Sequence, residues 1–124
     1  GDVAIDLAAI TTPTLVIALK DDHVSAWEGV YRGAKDLGAE FVLGGSGHNA
    51  GVINPPVANK HGYWTKAKQP DDPGEWLASA SRHEGSWWPW WTQWLNSKGS
   101  GKTVAARKPK EPIEPAPGRY VMMP

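Results

Sequence analysis

Two apolar runs, Thr14-Leu15-Val16-Ile17-Ala18-Leu19 and Glu40-Phe41-Val42-Leu43, decide the fold. The first is continuously apolar and partly β-branched, as expected of a strand covered on both faces. Pro13 stands just ahead of it, where a missing amide donor does least harm. Between the runs, Trp27, Val30, Tyr31 and Ala34 recur at i, i+3, i+4 and i+7, which is one helical face. Ser25-Ala26-Trp27-Glu28 has the spacing of a capping box, so the helix is expected to start at Ser25. Gly29 and Gly33 weaken that helix but permit close packing, and Gly38 marks its stop. The span from Thr14 to Leu43 suits a βαβ crossover with parallel strands. The class read from it is α/β.

Downstream, Asn54-Pro55-Pro56 is expected to close the α/β pattern after two strands. Gln69 to Gly74 is a polar turn, with Asp71 and Asp72 as turn and cap residues; Asp72 caps a short helix through Pro73, Glu75, Trp76 and Leu77. Ser86 is expected to cap a further helix from Trp87 to about Asn96, with Pro89 tolerated in its first turn. Trp87, Trp88, Trp90, Trp91, Trp94 and Leu95 fall in one broad arc of that helix, and Thr92, Gln93, Asn96 and Ser97 oppose them. The arc is read first as packing onto the sheet, and second as a path for an apolar chain. Beyond Ser97 the chain turns Gly/Ser/Lys-rich and then Pro-rich, so residues 98–124 are read as a basic linker and extended tail.

Composition narrows the chemistry. Lys plus Arg and Asp plus Glu number 13 each, so no global charge points to nucleic acid or an anionic membrane. The basic stretch Lys98, Lys102, Arg107, Lys108 and Lys110 is read as a solvated linker. There is no cysteine, which excludes disulfides, thiolate metal sites and a thiol nucleophile from these residues. The longest unbroken apolar run is Leu15 to Leu19, too short to span a bilayer, and no signal-peptide pattern is present. His61 and His83 have no ligand spacing with each other or with His48, so no metal site is expected.

Asp22 follows the first strand and His48 the second. In adjacent parallel strands both emerge at the same sheet edge, about 5 Å apart laterally. That carboxyl edge is where α/β folds place ligands. An acid preceding a histidine in chain order is the α/β-hydrolase arrangement, the carboxylate orienting an imidazole that takes a proton from a nucleophile. No Gly-x-Ser-x-Gly or Gly-x-Cys-x-Gly elbow occurs, so any nucleophile is expected upstream of Gly1. From position alone, Asp21 competes with Asp22 for the acid and His23 with His48 for the base.

Several segments carry a resemblance. They are Asp22-His23-Val24 with Trp27, then Phe41-Val42-Leu43-Gly44-Gly45-Ser46-Gly47-His48-Asn49-Ala50-Gly51-Val52-Ile53-Asn54-Pro55-Pro56, Tyr63-Trp64-Thr65 and Glu75-Trp76-Leu77. Gly85-Ser86-Trp87-Trp88-Pro89 and Ile113-Glu114-Pro115-Ala116-Pro117-Gly118-Arg119-Tyr120-Val121 complete the series. In this order they resemble the C-terminal end of a class I polyhydroxyalkanoate synthase, over nearly the whole chain. Three positions depart from that pattern: Asn49 replaces a usually apolar residue, Trp90 a usual Asp, and the connection before Glu40 is slightly short.

The resemblance implies the C-terminal portion of an α/β-hydrolase fold, with residues 1–97 part of the catalytic domain and 98–124 the tail. It implies an acyltransferase that polymerises 3-hydroxyacyl-CoA into polyester with CoA release, through a Cys-His-Asp triad. By position Asp22 resembles the triad acid, orienting His48 or helping it deprotonate the attacking 3-hydroxyl, and His48 the base, with His23 supporting; the cysteine would lie upstream, leaving this piece inactive alone. No cofactor is implied, since 3-hydroxyacyl-CoA is the substrate. The implied partners are the upstream part of the same synthase, the growing polyester, a second copy and granule-associated proteins, in the cytoplasm at the granule surface. Two other readings stand beside it: another α/β-hydrolase acting on hydroxyacyl esters, and a non-catalytic Trp-rich module that binds granules.

Overall fold

A computed structural model describes residues 4–108 and 110–123; the first three positions and the last of the chain, expected ends of the domain and the tail, lie outside the described residues. The elements run β1 (Leu15–Leu19), α1 (Trp27–Asp36), β2 (Glu40–Gly44), β3 (Tyr63–Thr65), α2 (Pro73–Ser79), β4 (Ser81–His83) and α3 (Trp88–Lys98). The four strands form one sheet in the order β1-β2-β3-β4. β1 and β2 are parallel, with Leu15 opposite Glu40 and Leu19 opposite Gly44. β3 and β4 continue the sheet antiparallel, Leu43 pairing with Trp64 and Trp64 with Arg82. The result is a mixed α/β layer.

Strand alternation divides the apolar residues between the two faces of the sheet. Phe41 and Leu43 point to one face, where they pack with Trp27, Tyr31 and Ala34 of α1 and Trp76 of α2. Trp76 is fully buried, its ring centroid 5.0 Å from Phe41 and 5.6 Å from Tyr31. Val42 points to the other face and packs with Tyr63 and Trp87, flanked by Leu15, Ile17, Trp88 and Trp90.

The first half follows the periodicity. Trp27, Tyr31 and Ala34 are the buried residues of α1, and Gly38 ends it at φ 62°. Two local expectations fail there. The helix is capped at Ala26 with no side-chain bond, because the Asp22 carboxylate takes the Val24 and Ser25 amides and draws that segment into its own turn. β1 is only half-covered over Leu15, Val16 and Ile17, because it is an edge strand paired to β2 alone.

The second half departs further. Asn54-Pro55-Pro56 does not close the pattern, since the chain returns and adds β3 and β4 to the same sheet. Asp72 does cap α2, its Oδ1 accepting from the Glu75 amide at 2.7 Å. Ser86 Oγ accepts from the Trp88 amide at 3.1 Å, so α3 begins one residue later than expected and runs on to Lys98. The tryptophan arc packs onto the sheet only in part: Trp87, just ahead of α3, is buried against Val42 with Trp88 and Trp90 beside it, while no residue of α3 itself is buried and Trp91 and Leu95 are exposed. Polar contacts complete the attachment of α3. Trp94 Nε1 donates to Glu40 Oε1 at 2.7 Å, and Lys98 Nζ reaches the same oxygen at 2.8 Å.

Candidate functional site

The parallel β1–β2 ladder continues past the strand ends. The Lys20 amide donates to the Gly44 carbonyl at 2.9 Å and the Asp21 amide to the Ser46 carbonyl at 3.1 Å. These bonds hold the loops after β1 and β2 side by side. Across them, His48 Nδ1 meets Asp22 Oδ2 at 2.8 Å. The other carboxylate oxygen, Oδ1, accepts from the Val24 amide at 2.8 Å and the Ser25 amide at 3.0 Å. Of the two candidate acids and two candidate bases, the structure brings together Asp22 and His48. Asp21 and His23 are exposed and make no side-chain hydrogen bond among the described residues.

The electrostatics follow from that geometry. The hydrogen bond from His48, then those from the Ser25 and Val24 amides, hold the Asp22 carboxyl at about 2, below its ordinary 3.8, against the opposing effect of burial. The Asp22 side chain is 8% exposed and that of His48 47%. An ionised carboxylate at Nδ1 keeps the proton on that nitrogen, so the Nε2 lone pair is the one available to a reacting group.

The loop carrying His48 is set by close approaches as much as by hydrogen bonds. A Cβ on Gly45 would stand 2.2 Å from the His61 carbonyl oxygen, and one on Gly51 2.4 Å from the Gly45 carbonyl oxygen. Gly51 also lies against Leu19, whose Cδ2 would be 2.5 Å from such a Cβ. Ser46, two residues before the histidine, adopts φ 75°, a region L side chains rarely occupy. The far side of the loop is held by residues for which the sequence suggests packing or an apolar path, and not a hydrogen-bonding role. Trp87 Nε1 donates to the Gly51 carbonyl at 3.1 Å, and Trp88 Nε1 to the Val52 carbonyl at 2.9 Å. The adjacent indoles at a helix start were the only signal of this in the sequence.

The remaining histidines lie elsewhere. His83 Nε2 meets Thr65 Oγ1 at 2.8 Å and its ring stacks on Tyr63, while His61 is exposed. Among the described residues no group of three or more acidic or histidine side chains gathers to hold a metal. A cavity of about 320 Å³ lined by Glu40, Phe41, Thr65, Gln69 and Trp90 lies at the amino end of β2, the far end from His48. Among the described residues no helix is long and apolar enough to cross a membrane.

No family model matches the chain. Among curated proteins, it is 46% identical over 125 residues to the poly(3-hydroxyalkanoate) polymerase subunit PhaC of Cupriavidus necator, covering 96% of this chain and 21% of that protein. It is 41% identical to the polymerase subunit PhaC of Rhizobium etli, over 95% of this chain and 19% of the relative. It is also 41% identical to poly(3-hydroxyalkanoate) polymerase 2 of Ectopseudomonas oleovorans, over 95% of this chain and 22% of that one. The chain thus spans about a fifth of the length of these relatives. Identity at this level over nearly every residue makes the chain a homologue of one segment of the poly(3-hydroxyalkanoate) polymerases.

Proposed function

We propose that this chain supplies the base and the acid of an acyltransferase that polymerises 3-hydroxyacyl-CoA into polyester, on an α/β-hydrolase fold. The observation that carries the reading is the 2.8 Å contact between Asp22 and His48 at the carboxyl edge of two parallel strands. The similarity to polymerases selects the substrate class. These 124 residues contain no cysteine, so the nucleophile comes from another part of the polypeptide. The β1 edge, unpaired among the described residues, and the half-exposed imidazole leave room for that part to dock and complete the site.

In this mechanism Asp22 holds the Nδ1 proton and His48 Nε2 removes the thiol proton from the nucleophile. The thiolate attacks the thioester carbonyl, and CoA departs as the thiol with the proton returned by the imidazolium. The same imidazole then takes the proton of a 3-hydroxyl group, which attacks the acyl-enzyme; the ester bond forms as the carbon–sulfur bond breaks, and the released thiolate recovers the proton from the imidazolium. His23, exposed beside Asp22, has a supporting role only. The full protein works at the surface of polyester granules in the cytoplasm, as a dimer, with granule-associated proteins as further partners.

The exposed Trp91 and Leu95 of α3 favour a second reading, in which the chain binds granules without catalysing anything. CoA release from 3-hydroxybutyryl-CoA separates the two. In the full-length protein containing these residues, His48→Ala is expected to lower release by at least about 10³-fold while granule binding persists. Release at the wild-type rate would overturn the catalytic reading and leave the binding module.

A further inference from the structure

The His48 ring has one hydrogen-bond partner among the described residues, Asp22, and is half-exposed. Packing does not fix where it stands, so the path of its loop does. That loop closes on itself through the Gly51 amide to the Gly47 carbonyl at 3.1 Å and the Ile53 amide to the Asn49 carbonyl at 2.9 Å. His48 thus lies inside a short coiled turn whose far end is Gly51 to Ile53. On one side the turn is stopped by Leu19 and the Gly45 carbonyl, which leave no space for even a methyl group at Gly51.

On the other side stand two indoles from 36 residues further along the chain. The Gly51 carbonyl accepts from Trp87 Nε1 at 3.1 Å. The Val52 carbonyl accepts from Trp88 Nε1 at 2.9 Å and from Trp87 Nε1 at 3.3 Å. Gly51 and Trp87 are buried, so the Gly51 carbonyl has little access to water and a lost partner would leave it unpaired, while Val52 is exposed and its indole bonds act by fixing the position of the loop. The anchor behind the indoles is firm. Ser86 is buried and binds the Trp88 amide, and α3 is tied at its other end to Glu40 at the start of β2. Glu40 begins the strand that delivers His48, so helix and strand hold each other at both ends.

We propose that Trp87 and Trp88 are positioning residues: their indole N–H groups fix the Gly51–Val52 end of the loop and so hold His48 within reach of Asp22. The inference rests on the reading of His48 as the base, and extends it to groups that touch neither substrate nor the reacting atoms. Only tryptophan, not phenylalanine, serves here, because the ring packs while its N–H holds a carbonyl.

The test is made on the full-length protein, with phenylalanine keeping each ring and removing each N–H. CoA release from 3-hydroxybutyryl-CoA and the far-downfield Nδ1 proton resonance of His48 are measured together for Trp87→Phe, Trp88→Phe, the double variant and Tyr120→Phe. Each single change is expected to lower kcat about three- to tenfold with KM within twofold, and to broaden or lose the resonance. Because both indoles share the Val52 carbonyl, the double variant is expected to lose more than the product of the singles. Tyr120→Phe, on an exposed ring far along the chain, is expected to change neither readout. Wild-type kcat and an intact resonance in the double variant, with His48→Ala inactive, would overturn the positioning role while leaving the base assignment standing. A fully active His48→Ala would overturn both. Should one single variant fail to fold, the other still decides, since each removes a different N–H from the same loop.

Discussion

At the residue scale, the Asp22 carboxylate organises more than the imidazole. Its two oxygens divide the work, Oδ2 on His48 and Oδ1 on two amides of its own turn, and all three bonds favour the ionised form. A carboxyl whose folded value is depressed contributes stability above its unfolded value and loses it as pH falls through the folded one. For Asp22 that window runs from about 3.8 down to about 2. The difference in melting temperature between wild type and Asp22→Asn is therefore expected to be full at pH 5 and to shrink steadily between pH 4 and pH 2. A constant difference across that interval would mean the carboxylate is not held by these partners. Gly51 sets a second residue-level limit. A Cβ there meets a backbone oxygen at 2.4 Å, and backbone cannot swing aside as a long side chain can. Gly51→Ala is expected to cost about 1–3 kcal/mol in urea unfolding, and to disturb the His48 contact with it.

At the element scale, the short helices do different jobs. α2 drives Trp76 into the middle of the α1-covered face, where it touches Trp27, Tyr31 and Phe41. Removing so large a fully buried ring leaves a cavity that its aromatic neighbours cannot fill. Trp76→Ala is expected to destabilise by about 3–5 kcal/mol in denaturant unfolding, and a loss under 1 kcal/mol would contradict this packing. α3 buries no residue fully: Trp88 and Trp90 pack against the Val42 face, and polar contacts to Glu40 hold its far end. Partial burial raises the Glu40 carboxyl, but the bonds from Lys98 and Trp94 outweigh it and leave the group below its usual range. These elements were unequally legible in the sequence. α1 and the two parallel strands declare themselves because each carries a full period of apolar residues. β3 and β4 are three residues each, and Ser81-Arg82-His83 has no apolar signature, so pairing with β3 alone makes it a strand. The capping box at Ser25 misled because local spacing cannot register that Asp22, three residues earlier, takes the Ser25 amide the box would use.

At the scale of the whole molecule, topology does what composition could not. Parallel pairing of β1 and β2 brings residues 26 positions apart into hydrogen-bond contact, and for that reason Asp22 and His48 were legible as a candidate pair before any geometry. The indole anchors were not. Their partners are backbone carbonyls, which carry no sequence identity, and the contact spans 36 residues. The central claim is that Asp22 and His48 act as one unit on a nucleophile from elsewhere in the polypeptide. A double-mutant cycle on CoA release by the full-length protein tests it most directly, with Asp22→Ala, His48→Ala and the double variant beside wild type. If the carboxylate works only through the imidazole, the double variant is expected to be no slower than His48→Ala alone. Losses that multiply, or a double variant as active as wild type, would contradict the account.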